Sequence, residues 1–382
     1  MIYDRAGSRS VIHAVFKSLT GSIEMAYEQH KTYVYVGFGG ESPLLVGVDG
    51  PELEQGGLYR RGDGDETWDD LSNGLPVHPQ VRALAVDPRD PKVIFAGTHK
   101  GIYRTGDRGE HWERQDSPEG NVWSLSVHPT DPNVVFAGYD RSMICRSLDG
   151  GASWQKTNSA DVVFPHITMH PKEIVKRVIG ISADPANPDD VYAAVEVGGL
   201  VASRDGGENW VSATDGHYTQ TGPVDLHGVQ VCPSAPGLVY IITQLAMFRS
   251  RQRGRHWELV PLKEMFPGGS YCRGLVVAPD DPSTMYLAAG AGGGSAPPDT
   301  VQAGALVRTQ DSGETWEAVD LGEIPPSRMF QIAIDPAAPS HIYCCTRDGQ
   351  VYSSSDQGNA WSMSQIPVEV SRTNHVYPMV CA

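Results

Sequence analysis

One eight-residue pattern recurs along this chain and constrains its fold more than any other feature. SRDGGENW, residues 203–210, places a small hydroxyl residue, an aspartate, a glycine and a tryptophan at its first, third, fifth and eighth positions. The same order returns in TGDRGEHW (105–112), SLDGGASW (147–154), TQDSGETW (309–316) and SSDQGNAW (354–361). Two copies are degraded. RGDGDETW (61–68) has Asp65 where glycine is expected, and SRQRGRHW (250–257) has Gln252 where aspartate is expected. The seven copies hold seven of the eight tryptophans.

Successive tryptophans, from Trp68 through Trp112, Trp154, Trp210, Trp257 and Trp316 to Trp361, are separated by 44, 42, 56, 47, 59 and 45 residues. The shorter intervals match a propeller blade of four strands, about 40–45 residues. The two longest are one blade plus an insertion. Upstream of six of the boxes lies a strand, a proline-bracketed turn and a second strand, as in VRALAVDPRDPKVIFAGT (81–98) and VWSLSVHPTDPNVVFAGY (122–139). The short runs rich in Val, Ile and Tyr read as strands. Frequent Gly and Pro, 42 and 28 residues, supply the turns between them.

These boxes resemble those of the Asp-box, or BNR-repeat, β-propellers, and the resemblance covers nearly the whole chain. That superfamily includes sialidases, xyloglucan-cleaving glycosidases, sortilin-type receptors and a photosystem assembly factor. It implies an all-β, seven-bladed propeller of four-stranded antiparallel blades, residues 1–382 forming one domain. Labelling the strands A to D from the axis outward, the box occupies the C–D turn. Its aspartate accepts backbone N–H bonds there, its glycine permits a positive φ, and its tryptophan is expected to plug the gap to the next blade. Seven copies of a peripheral turn build a scaffold; a catalytic centre needs one site.

Blade I reads as 21–38 followed by 57–68. The unused runs VIHAVFK and HVYPMVC near the two termini are expected to pair and close the ring, completing a seventh blade or building a composite eighth.

With 30 Lys and Arg against 46 Asp and Glu, the net charge is −16. Such a body repels phosphate backbones and anionic membranes, so neither nucleic acid nor membrane is an expected partner. The N-terminal stretch lacks an apolar core of signal-peptide length, and the reading is a cytoplasmic protein. Six cysteines (145, 232, 272, 344, 345 and 381) follow no zinc-module spacing and read as buried free thiols.

The A–B turns and the boxes share one face, the bottom; the B–C and D–A loops share the top. Three insertions, 37–57, 155–177 and 288–305, all fall on the top, where loops on a rigid scaffold carry function. The Gly-rich 290–298 run reads as a flap over that face, or as a plain insertion. Aligning the A strands on the turn proline puts Arg82, Trp123, Ile179, His227, Arg273 and Phe330 in one register. Gln80, Asn121, Arg177, Asp225, Tyr271 and Arg328 lie two residues earlier. Period-two alternation brings both sets to the channel mouth. Four arginines (82, 177, 273 and 328) converge there. They form an anion pocket, or they pair with carboxylates such as Glu24, Asp225 or Glu196; His227 and Tyr271 in the same ring favour the pocket. Trp123, Glu196, His375 and Tyr377 complete the candidate binding residues.

Histidines 78, 99, 166, 170, 217 and 375, with Tyr218, also lie on the top. Some propeller lyases hold a metal with such a cluster, but no H-x-H or H-E-x-x-H spacing supports one here, and no cofactor is expected. Sialidases use arginines for a carboxylate, a tyrosine nucleophile and an aspartate acid. Residues of these types are present. The N-terminal Arg-Ile-Pro motif is not, and sialidases have six blades, so those roles are not carried over. The xyloglucan-cleaving members place two propellers on a chain about twice this length. Two functions follow. One is a hydrolase or lyase acting on a small anionic, carboxylate-bearing and sugar-derived molecule, with His227 as acid or base assisted by Tyr271 or Asp225. The other is a non-catalytic scaffold whose top face recognises an acidic segment of a protein partner.

Overall fold

In the computed structural model, the described residues are 31–40, 55–158, 174–214, 225–233, 235–243, 246–260, 271–290, 304–369 and 374–382. They form seven four-stranded antiparallel sheets, the blades of a propeller. The innermost strands of blades II to VII are Ala83–Asp87, Val122–Val127, Val178–Asp184, Leu226–Val231, Tyr271–Val277 and Met329–Ile334.

Blade I departs from the expectation. Its innermost strand is Asn374–Cys381, which pairs with Tyr33–Gly40; Gly57–Gly62 and Asp69–Asp70 follow outward. The 21–30 run lies outside the described residues; the innermost position of blade I is held by Asn374–Cys381, and the blades number seven, not eight. The VIHAVFK run, and with it the expected pairing of the two termini, lies outside the described residues. The closing strand has a proline, Pro378, at a register shift between Val36 and Phe38. A bulge tolerates the missing N–H donor. Gly37 makes room for it, since a Cβ there would meet Pro378 Cγ at 2.5 Å. Backbone bonds between Tyr33 and Ala382 and a buried Thr32 Oγ1 bond to Asp335 Oδ2 (2.6 Å) tie the closed blade to itself and to blade VII.

The hydrophobic core is divided. Each of seven buried clusters fills one gap between adjacent blades. Second strands therefore bury both faces, as in the fully buried run Val135–Tyr139. The boxes do the predicted work in the turn. Asp149 Oδ1 accepts from Ser147 Oγ (2.8 Å) and Ser153 N (2.9 Å), and Ser147 Oγ accepts from Gly151 N (2.8 Å). Such bonds to the carboxylate, led by the one from Ser153, hold the Asp149 pKa at about 2. The tryptophans, however, plug the gap to the preceding blade rather than the next. Trp112 packs with Tyr35, Leu58 and Leu71 of blade I, and Trp210 with Phe136 and Ile144 of blade III. The indole folds back to the box glycine, Trp154 Nε1 donating to the Gly151 carbonyl (2.9 Å) and Trp210 Nε1 to that of Gly207 (3.1 Å), and these glycines lie against Phe95 and Phe136 of the preceding blades. The degraded box of blade V keeps Ser250 Oγ accepting Gly254 N at 2.9 Å, whereas in blade I Asp65 turns outward to Lys31 at 2.7 Å.

Of the top-face insertions, 41–54, 159–173 and 291–303 lie outside the described residues, as do Glu24, His166, His170, His217 and Tyr218. All six cysteines are free and buried.

Candidate functional site

The first residues of the innermost strands converge at the top of the channel because each blade enters there from its D–A loop. Side chains two apart on these strands share a face. The ring they form alternates cations with aromatic rings. The Arg177 guanidinium lies 4.3 Å from the Trp123 ring centroid, and Arg82 lies 4.9 Å from the same ring and 5.8 Å from Tyr377. Tyr377 stacks on His375 at 4.2 Å, and His375 meets Phe330 at 5.1 Å. Arg273 then lies 5.3 Å from Phe330 and 5.1 Å from Tyr271, which also takes Arg328 at 4.3 Å and His227 at 5.1 Å. Cation–π attraction is strong in such partly desolvated places.

Among the described residues this run of contacts stops between His227 of blade V and Arg177 of blade IV. Two carboxylates stand at that break. Glu196 Oε2 is 3.3 Å from Arg177 Nη1. Burial, then the charge of Glu196, raises the Asp225 pKa to about 6, against the opposing pull of Arg273 and the Val197 amide. The structure thus brings together Arg82, Trp123, Arg177, Glu196, Asp225, His227, Tyr271, Arg273, Arg328, His375 and Tyr377.

The arginines also have polar partners. Arg82 donates to Asn121 Oδ1 (3.0 Å) and to the Gly40 carbonyl (2.8 Å), and Arg273 Nη2 bonds the Tyr271 hydroxyl at 2.7 Å. The Nε atoms of Arg82 and Arg273 are buried without a hydrogen-bond partner. Burial lowers the Arg82 pKa. At Arg273 burial also opposes the charge, but Tyr271 and Glu196 outweigh it and the shift is upward. His227 Nδ1 lies 2.6 Å from the Cys272 carbonyl, which only accepts, so Nδ1 carries the proton and Nε2 is left as an acceptor. Burial, then Arg273, pushes the His227 pKa well below 6.5.

Sequence reasoning missed Asp140, which accepts from Asn121 Nδ2 (2.7 Å) and Trp123 Nε1 (2.5 Å) and so fixes the indole between two arginines. A signal for it exists. Asp140 stands four residues after the second-strand aromatic Phe136, as His99, Glu196 and Arg347 stand after Phe95, Tyr192 and Tyr343. In these four blades the offset carries a polar or charged residue, whereas after Tyr35 and Tyr286 it carries Gly39 and Gly290. His99 there accepts from Gln80 N at 3.4 Å, and burial followed by Arg82 lowers its pKa to about 4. His78 is exposed. No cluster of three metal-ligating residues occurs among the described residues.

No family model matches the chain. A xyloglucanase of Hypocrea jecorina is 23% identical over 360 residues, 84% of this chain and 37% of that protein. Xyloglucanase Xgh74A of Acetivibrio thermocellus is 25% identical over 221 residues, 48% of this chain and 25% of that protein. The chain thus spans well under half the length of these curated relatives. The Niastella koreensis GH74 enzyme superposes with a TM-score of 0.59 at 18% identity, covering 75% of this chain and 45% of that one. YCF48 from Cyanidioschyzon merolae superposes with a TM-score of 0.52 at 13% identity, covering 80% of this chain and 96% of that one. With the seven boxes and seven blades, these likenesses identify the fold as an Asp-box β-propeller.

Proposed function

We propose that the protein is a hydrolase acting on a carboxylate-bearing carbohydrate at the channel mouth, with Asp225 as general acid. The observation that carries this reading is the Asp225 carboxyl, which burial and Glu196 keep protonated up to about pH 6. A protonated carboxyl beside a second carboxylate is the arrangement glycoside hydrolysis uses. One group protonates the leaving oxygen, and the other serves as base or nucleophile. Glu196 is that second group, held by Arg177. Trp123, Tyr271 and Tyr377 offer ring faces to a sugar. The guanidinium charges of Arg82, Arg273 and Arg328 around the mouth suit a substrate carboxylate. His227, neutral and with Nε2 free to accept, serves as a base or as a support for Tyr271. The relatives named xyloglucanase support a carbohydrate hydrolase.

One observation favours a second reading, a scaffold for an acidic protein segment. YCF48 is matched over nearly its whole length, and one of its solved structures is described as bound to D1 peptide.

Reducing-end release from neutral and uronate-containing oligosaccharides separates the two. Turnover of a uronate substrate that falls about 100-fold or more in kcat in Asp225→Asn supports the enzyme. No turnover on any substrate, with saturable binding of a glutamate-rich peptide lost in Arg273→Ala, supports the scaffold.

A further inference from the structure

On the bottom face the residue before the box is arginine in five blades: Arg60, Arg104, Arg146, Arg249 and Arg308. Three of them reach into the following blade's box in one manner. Arg60 donates to the Arg108 carbonyl (3.0 Å) and to Glu110 (2.8 Å). Arg249 donates to the Ser312 carbonyl (3.2 Å) and pairs with Glu314 (2.6 Å). Arg146 donates to the Gly206 carbonyl (2.7 Å) and lies 3.8 Å from Glu208. Each carbonyl belongs to the fourth box residue and each glutamate is the sixth.

Between blades II and III the sixth residue is Ala152. Here the Arg104 guanidinium forms no ion pair or hydrogen bond with any described residue. Its Nε is buried without a partner, and its one ring contact is Phe95 at 5.8 Å. Glu113 faces Arg104 across the strand pair, as Asp69, Glu258 and Glu317 face Arg60, Arg249 and Arg308. Those three pair with their arginines; Glu113 stays exposed and apart. Where the glutamate would lie there is a cavity of about 330 Å³, lined among others by Arg104, Arg89, Gln115, Asn133, Gly150 and Ala152. Two carboxylates also stand on its wall: Asp87 Oδ1 accepts the Arg89 amide, and both oxygens of Asp149 are bonded within its own turn.

We infer that this gap is a binding site for a small carboxylate, which takes the place that Glu110, Glu208 and Glu314 fill in the sister gaps. Arg104 supplies the fork and Arg89 a second cation at the rim; Gln115 Nε2 and Asn133 Nδ2, which already donate to the Glu113 carbonyl (2.9 Å) and to Asp131 (3.1 Å), each keep one further hydrogen to donate. The size lies at the small end of ligand pockets. The site is separate from the channel mouth, since it lies on the opposite face.

The test titrates glucuronate, and inorganic phosphate separately, into the full chain by calorimetry at low salt. Variants are Ala152→Glu, Arg104→Gln and Arg273→Ala. The expected result is saturable glucuronate binding that persists in Arg273→Ala, where the channel mouth is disabled; in that background Arg104→Gln weakens it at least about tenfold and Ala152→Glu abolishes it. Ala152→Glu should also melt at a higher temperature than the parent, because it restores the contact of the sister gaps. The inference is overturned by binding unchanged in Ala152→Glu, by binding lost only in Arg273→Ala, by tighter binding of phosphate than of glucuronate, or by no binding. An Ala152→Glu variant that melts no higher than the parent overturns it equally.

Discussion

Arg253 grips Asp190 with two bonds, Nε to Oδ2 and Nη2 to Oδ1, each 2.5 Å long. Asp190 is fully buried at the start of a blade IV strand, and Arg253 belongs to the degraded box of blade V. A box that lost its aspartate therefore still ties two blades together through the next residue. Arg253→Ala should destabilise the fold by about 1–3 kcal/mol. That is less than a fully buried pair would lose, because Arg253 is half-exposed and Arg204 stays 3.3 Å from Asp190. Urea denaturation of the two proteins measures the difference; equal midpoints would show that Arg204 suffices.

The two glycines of the blade III box separate two costs. Gly150 has φ +69° and open space at its Cβ position, with the nearest atom at 4.0 Å. Gly151 has φ +90°, and a Cβ there would meet the Phe95 ring at 2.4 Å. Gly150→Ala should cost about 1 kcal/mol, from backbone strain alone. Gly151→Ala should cost about 2–4 kcal/mol, because the ring must also move. Similar losses would mean that Phe95 yields freely.

Asp225 sets a pH dependence. Its folded pKa, about 6, lies above the ordinary 3.8, so the native chain holds a proton that the unfolded chain has released. The stability attached to that proton is complete below about pH 3.8 and is lost as pH rises through about 6. The loss is at most about 3 kcal/mol, and less where water reaches the half-buried carboxyl. Asp225→Asn should accordingly be more stable than the parent near pH 8 and no more stable near pH 3.5. Parallel melting curves across pH test it; a constant difference would remove Asp225 as the titrating group and, with it, as the general acid.

Burial pushes the thiol pKa of Cys145, Cys272 and Cys345 up to about 12. A thiol reagent such as Ellman's should therefore leave the native protein unlabelled and react in step with unfolding. Rapid labelling of one native cysteine would locate a local opening.

The repeat was legible because each box position has its own physical need: a hydroxyl for the glycine amide, a carboxylate for the turn, no Cβ beside Phe95 or Phe136, and an indole for the gap. The inward register was legible too, since the turn prolines fix every innermost strand. The closing strand was harder to read. HVYPMVC was legible as a strand that closes the ring, but its partner, Tyr33–Gly40, and the bulge that accommodates Pro378 were not, because pairing across more than 330 residues leaves no local signal. The direction of the tryptophans depends on how the turn folds back, which spacing does not encode. At the channel mouth, the arginine positions followed from alternation. One partner, Glu196, was named from the sequence and pairs with Arg177; Asp140 and the Gly40 carbonyl were not, because they arrive from other strands and other blades.

Blade I is begun before blades II to VII and completed after them. Thr32 and Asp335 are 303 residues apart in sequence, and Gly40 and Tyr377 are 337 apart. On the ribosome, blades II to VII can each assemble as their strands emerge, but Tyr33–Gly40 must wait for Asn374–Cys381 to cover its inner edge. An unpaired edge held open for most of translation is a template for pairing with another chain. The closing strand thus acts as a checkpoint on the ring: without it, Tyr33–Gly40 keeps an open inner edge beside six complete blades.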